Sequence, residues 1–127
     1  MRFLKKDIIA IGVIIVFVIG INFITDKIMS DSVFEIISIA NEIDIELETK
    51  INIENVYLLD EKWDETENSL AFFSEHDELE KVTKEVKKLV VSSNNKLKYE
   101  IKDEIEQIRF LLGHIEEKNK LLLKNIF

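Results

Sequence analysis

The chain contains two histidines, and each lies at a helical spacing from a carboxylate. Glu80 follows His76 by four residues and Glu117 follows His114 by three, so each pair would project from one face of its own helix. Imidazole nitrogen and carboxylate oxygen can together hold a divalent metal ion. If the two helices lie side by side, these four residues predict a metal-binding or ligand-sensing site.

Both histidines also have a simpler interpretation, and little in the sequence supports an enzyme. Neither histidine follows a glutamate by three residues, as in carboxylate-bridged bundles, and no His-Glu-x-x-His motif is present. His76 could instead cap a helix junction, and His114 could lie beside a core seam. The absence of cysteine excludes a thiolate nucleophile, and no Gly-x-Ser-x-Gly motif occurs. We therefore expect neither catalysis nor a bound cofactor.

An apolar segment near the N-terminus predicts a membrane anchor. Residues 8–24 include one polar side chain, Asn22, and would span about 25 Å as a helix, near the minimum for crossing a bilayer. More basic residues precede this run than follow it, which places the N-terminus in the cytoplasm. We predict a basic cytoplasmic segment at 1–7, a transmembrane signal-anchor helix at 8–25 and an extracytoplasmic domain at 30–127. A cleaved signal peptide or a buried core helix are the alternatives. However, no Ala-x-Ala site follows the run, and apolar residues cover every face.

Charge is divided between the two parts of the chain. Three basic residues against Asp7 give the first 24 residues a net charge of +2, which leaves −10 for the remainder of the total of −8. A domain this acidic repels nucleic-acid phosphates. The sequence also contains no basic stripe of the kind that binds nucleic acid. We expect no nucleic-acid partner, and we interpret the carboxylates as a solvated helix surface rather than as paired acid/base catalysts.

Composition and periodicity predict that the domain is all-α. The chain has no proline and three glycines, too few turn formers for a protein of many short strands. Apolar residues at three-four spacing predict a helix that starts at Ser30 or Asp31 and ends near Thr49. Residues 43–53 also alternate as a strand would, but a lone strand would have no partner.

The middle of the domain carries two apolar seams that do not share one helical face. The first seam covers residues 56–73 and the second covers residues 79–89. Either the helix breaks near residue 75, or its halves face different neighbours. Ser74 and Asp77 resemble a capping box, which favours a new helix there.

A third seam, over residues 101–126, follows the turn-forming run of residues 92–95. Because the connection is short, the helices on either side should be antiparallel, as in a helical hairpin or coiled coil. A turn centred on Asn94 would place His76 level with Leu112 and close to His114. It would also place Trp63 level with the end of the chain. The predicted core or interaction anchors are Trp63, Phe73, Ile126 and Phe127.

Several short segments carry a resemblance to a known family. They are Trp63 in the middle helix, His76-Asp77-Glu78-Leu79, Phe110-Leu111-Leu112-Gly113-His114-Ile115 and Asn125-Ile126-Phe127. Their order and spacing resemble small membrane-anchored bacterial proteins, the family called domain of unknown function 4363. The resemblance implies an anchored helical protein of unassigned activity and supplies no catalytic residue. It also implies a membrane partner, because members are often encoded beside small multi-pass membrane proteins.

These observations predict an all-α protein with an N-terminal transmembrane helix followed by a small antiparallel helical bundle or hairpin. We expect an interaction or scaffold protein of the bacterial cell membrane that partners another membrane or envelope protein, or itself. We expect an interaction protein because four apolar residues lie beyond the main seam of their helix and require burial: Phe34, Ile37, Ile39 and Ile45. The alternative function is a metal- or ligand-binding sensor that uses His76, Glu80, His114 and Glu117.

Overall fold

The computed structural model describes the backbone of residues 4–72 and 74–126, and their side chains except those of residues 25, 26 and 122–126. Four helices account for nearly all of this backbone, with no strand among the described residues. They are α1 (Lys5–Glu46), α2 (Ile53–Leu70), α3 (His76–Asn94) and α4 (Lys98–Ile126). The predicted all-α class is confirmed.

The four helices form an up-down-up-down bundle in which each helix packs against its neighbours in sequence and α4 closes on α1. Polar contacts between neighbours show the antiparallel order. Along α1, Glu42 bonds Asn55 and Glu35 pairs with Lys62, so α2 runs in the opposite direction. On the other side of α1, Asn41 accepts a hydrogen bond from Arg109 and Ser30 donates one to Glu116, so α4 is also antiparallel.

The core is built from the predicted seams. Each seam places apolar side chains on one stripe of its helix, and burying these stripes against one another removes them from water. In the described residues the seam positions from Val33 to Leu47, from Val56 to Leu70, from Leu79 to Leu89 and from Ile101 to Ile115 are buried. The break in the middle helix is confirmed, since α2 ends at Leu70 and α3 begins at His76.

The first helix differs from the prediction, because no separate helix begins at Ser30 or Asp31. Helix α1 is continuous over 42 residues, from the apolar segment into the bundle. No proline or glycine occurs between residues 21 and 46. The helix that forms in the apolar segment therefore continues through Ser30 and Asp31 into the bundle. Its apolar first half is exposed, and it is the one described helix long and apolar enough to cross a membrane.

The helix junctions use local hydrogen bonds. Asn52 caps α2, because its side chain accepts a hydrogen bond from the N–H of Asn55 at 3.0 Å. The predicted capping box of Ser74 with Asp77 is wrong. The residue that precedes α3 is Glu75, with no side-chain capping bond, since the helix starts one residue later than that pattern requires.

The turn between α3 and α4 is centred later than predicted. Helix α3 continues through Asn94, and Lys96 has a positive φ of 57°. The N–H groups of Lys96 and Leu97 donate to the carbonyls of Ser93 and Ser92, a Schellman motif.

This later turn changes which residues of α3 and α4 lie side by side. Glu78 on α3 contacts His114 and Lys118, which lie one to two turns beyond the predicted level. The prediction that His76 lies level with Leu112 is therefore wrong, because moving the turn toward the C-terminus moves every partner along α4 with it.

Candidate interaction surface

The described contacts pair His114 with Glu78. The Nε2 atom of His114 lies 3.6 Å from a carboxylate oxygen of Glu78, and the His114 side chain is 57% exposed. Lys118 bridges the same carboxylate and Glu75 at 3.1 and 3.0 Å. Hydrogen bonds to Glu75 and then Glu78 raise the pKa of Lys118. This exposed ion-pair cluster ties α4 to the start of α3.

The other residues predicted for a metal site lie at the surface. His76 is the first residue of α3 and is exposed, as are Glu80 and Glu117. Over the described part of the chain, no three His, Cys, Asp or Glu side chains are grouped so as to hold a metal ion. The metal site stays a prediction from the sequence, to which this geometry adds no support.

Among the predicted anchors, Trp63 is completely buried, at 0% exposure. Its indole N–H donates to the hydroxyl of Thr83 on α3 at 2.9 Å, so the one polar atom of the ring has a partner in the core. Because α2 packs between α1 and α3, Trp63 holds these two helices together. The anchors Phe73 and Phe127, and the side chain of Ile126, lie outside the described residues.

Helices α1 and α4 carry four of the large exposed apolar side chains of the bundle. They are Phe34 and Ile45 on α1, exposed by 74% and 77%, and Tyr99 and Phe110 on α4, exposed by 88% and 69%. Two of the four excess apolar residues of α1 therefore remain at the surface. Ile39 is buried, and Ile37 is partly buried against the core.

The positions of these four residues follow from the register of the two helices. Helices α1 and α4 are antiparallel, with Asn41 bonded to Arg109. The order along the bundle is therefore Tyr99, Ile45, Phe110 and Phe34, alternating between the helices over about 20 Å at 1.5 Å per residue. We call these four residues the apolar ladder.

The far end of the apolar ladder, away from the apolar half of α1, borders a groove. Ile45 and Tyr99 line a cavity of about 590 Å³ between the end of α1 and the start of α4, together with Lys98 and Lys102. Farther along, Arg109 contacts Asp44 at 3.4 Å and so neutralises a carboxylate between the two helices. The carboxylates of Asp44 and Glu48 line the same cavity, so charges of both signs lie beside this end of the ladder.

A buried polar pair lies on another side of the bundle, between α3 and α4. Ser92 donates a hydrogen bond of 2.8 Å to one carboxyl oxygen of Glu104, which is 9% exposed. The second oxygen, Oε2, is buried with no hydrogen-bond partner among the described residues. Burial raises the pKa of Glu104, and the nearby carboxylates of Glu85 and Glu100 add to the effect.

Neither the apolar ladder nor the Ser92–Glu104 pair was predicted from the sequence. Tyr99 and Phe110 were not singled out as surface residues because their exposure depends on how α4 is rotated against α1. The Ser92–Glu104 pair was missed because residues 92–95 were interpreted as a turn, whereas Ser92 lies inside α3. The sequence did contain an indication that Glu104 is buried, because Glu104 adjoins the seam residue Ile105 and is three residues from Ile101.

The fold and this surface define a class of protein: a four-helix bundle built onto a long apolar helix, with an apolar side left uncovered. The chain belongs to the family described as "Domain of unknown function (DUF4363)", which matches residues 23–126. The match begins at the end of the apolar run and includes the whole bundle, and it confirms the resemblance. No curated protein and no solved structure matches the chain.

Proposed function

We propose that this chain is a single-pass protein of the bacterial cell membrane whose extracytoplasmic bundle binds another membrane or envelope protein, or a second copy, through the apolar ladder. The observation that carries the proposal is the exposure of Phe34, Ile45, Tyr99 and Phe110 on two helices that pack against each other. Isolated exposed apolar side chains are common on soluble domains. A group of large exposed apolar side chains on two neighbouring helices is typical of an interaction site.

The geometry of the ladder suits a helical partner. Its length of about 20 Å corresponds to roughly four helical turns, and its side chains alternate between two parallel ridges. An amphipathic helix that lies in the groove between α1 and α4 would bury all four side chains at once.

The test is site-specific crosslinking in cells, with a photoreactive residue placed in the full chain. At Phe110 we expect capture of a defined protein, identified by mass spectrometry, and at Lys84, exposed on α3, we expect none. A Tyr99→Asp change should then abolish capture from Phe110, whereas Lys81→Asp on α3 should not. Equal capture from α3, or capture that survives Tyr99→Asp, would contradict the ladder as the binding site.

The proposed orientation has its own test. Basic residues before the apolar segment favour a cytoplasmic N-terminus, so a reporter that is active only outside the cytoplasm should work when fused after Phe127. A reporter active only in the cytoplasm should fail at the same position. The opposite pattern would reverse the topology and exclude envelope proteins as partners.

A further inference from the structure

The α2–α3 connection and the last part of α4 lie level with the end of the apolar half of α1. Ser30 on α1 contacts Glu116 on α4, so Leu121, five residues later, is level with the last turn before Ser30. Lys62 on α2 contacts Glu35, and stepping ten residues along each antiparallel chain brings Phe72 to the same level. Both residues therefore lie beside the end of the apolar run at Ile24.

The side chains at this end are apolar and exposed. Phe72, in the connection between α2 and α3, is 84% exposed, and Leu121 on α4 is 55% exposed. On α1, Ile24 and Ile28 are exposed by 58% and 47% at nearly the same level. Apolar surface thus continues from the anchor onto two further elements of the bundle.

From this arrangement we propose that the end of the bundle nearest the anchor is seated in the lipid interface, with Phe72 and Leu121 immersed beside α1. This inference rests on the proposed membrane anchor. If residues 8–24 span the bilayer, lipid must lie at the level of Ile24, which is the level of both side chains. Aromatic and apolar side chains are stabilised at this depth.

The charges at this end are compatible with lipid. Lys27 and Lys120 are exposed and can reach lipid phosphates. Two carboxylates near this end, Glu75 and Glu78, are paired with Lys118, and a third, Glu116, is paired with Lys120, which lowers their repulsion of headgroups. Three contacts, at α1, α4 and the connection before α3, would hold the bundle upright on the membrane rather than swinging on one helix.

The chain has no cysteine, so single-cysteine variants can carry one nitroxide spin label without a background mutation. The variants are Phe72→Cys and Leu121→Cys at the proposed seat, Phe17→Cys in the anchor, and Tyr99→Cys at the opposite end of the bundle. All four side chains are more than half exposed, so a label at each position can be accommodated at the surface. The full chain is placed in phosphatidylcholine vesicles, and collisions of the label with oxygen and with a water-soluble nickel chelate are measured.

Oxygen concentrates in lipid and the nickel chelate stays in water, so their ratio reports immersion. We expect a high oxygen-to-nickel ratio at residues 17, 72 and 121 and a low ratio at 99. If the ratio is high at residue 17 but the ratio at residue 72 or 121 is as low as at residue 99, the contact of the bundle with lipid is refuted while the membrane anchor is supported. If both collision rates are low at 72 or 121, protein rather than lipid covers the site, and the seat is also refuted. If residue 17 itself is in water, the anchor and the seat both fail.

Discussion

The Ser92–Glu104 pair allows a quantitative test of what holds α3 to α4. The changes are Ser92→Ala, Glu104→Leu and the two combined. The neighbouring Ser93→Ala serves as a matched control, because the Ser93 hydroxyl is buried without a hydrogen-bond partner among the described residues. The measurement is the free energy of unfolding of the full chain in detergent micelles, from urea titrations followed by circular dichroism.

The magnitudes follow from which groups remain partnered. Ser92→Ala removes the 2.8 Å hydrogen bond and leaves both carboxyl oxygens of Glu104 buried without one, a loss of about 1–3 kcal/mol. Glu104→Leu removes the unpartnered oxygen but leaves the Ser92 hydroxyl alone, so these effects largely cancel. The double variant removes both members of this polar pair and should be more stable than the wild type by about 1–3 kcal/mol.

The pH dependence gives a second readout. Because burial raises the pKa of Glu104 in the folded state, the folded chain keeps this proton to a higher pH than the unfolded chain does. Between the two pKa values the folded state binds more protons, so this group makes the free energy of unfolding fall as pH rises. The double variant should lose this contribution, whereas Ser93→Ala should keep it.

Additive effects of the two substitutions on the free energy of unfolding would contradict this expectation. If the double variant is destabilised by the sum of the two single changes, the coupling energy between Ser92 and Glu104 is zero and the two groups do not act as a pair. An unchanged pH profile in the double variant would show that Glu104 is not the group responsible.

Three further changes test other features. Lys96→Gly should raise the free energy of unfolding by about 1 kcal/mol, because glycine adopts the positive φ of 57° without steric cost; a loss of stability would contradict the left-handed turn. Trp63→Phe should lower it by about 1–3 kcal/mol, because it removes the hydrogen bond to Thr83 and leaves a cavity, and no loss would show that the indole is not packed as described. Excess zinc should not change the unfolding midpoint, since the described residues offer no three-ligand group; a rise that His114→Ala abolishes would support the metal site.

Sequence periodicity predicted the core of the bundle because burial is encoded within each helix. Spacing alone indicates that Val33, Ile36 and Ala40 share a face, whatever lies against it. The two seams on different faces left two alternatives, a break near residue 75 or one helix whose halves face different neighbours, and the structure shows the break.

Relations between helices could not be predicted in this way. The α3–α4 register depends on where the turn closes, and the left-handed Lys96 allowed α3 to run further than the serines and asparagines suggested. The apolar ladder combines residues from α1 and α4, which are distant in sequence. It becomes visible only once contacts such as Arg109 with Asn41 fix how those helices pair.

The continuity of α1 restricts what can bind the ladder. One unbroken helix carries both the apolar run and Phe34. The distance of the ladder from the end of the apolar run is therefore given by the number of helical residues between them. Phe34 lies ten residues beyond Ile24, about 15 Å along the helix, and Tyr99, beside Glu48, lies about 35 Å along it. If the anchor spans the bilayer as proposed, a membrane protein with only short extracytoplasmic loops could not reach the whole ladder. A partner anchored in the same membrane must carry a helix that rises several turns above it, as α1 itself does, which makes a second copy the simplest candidate to examine first.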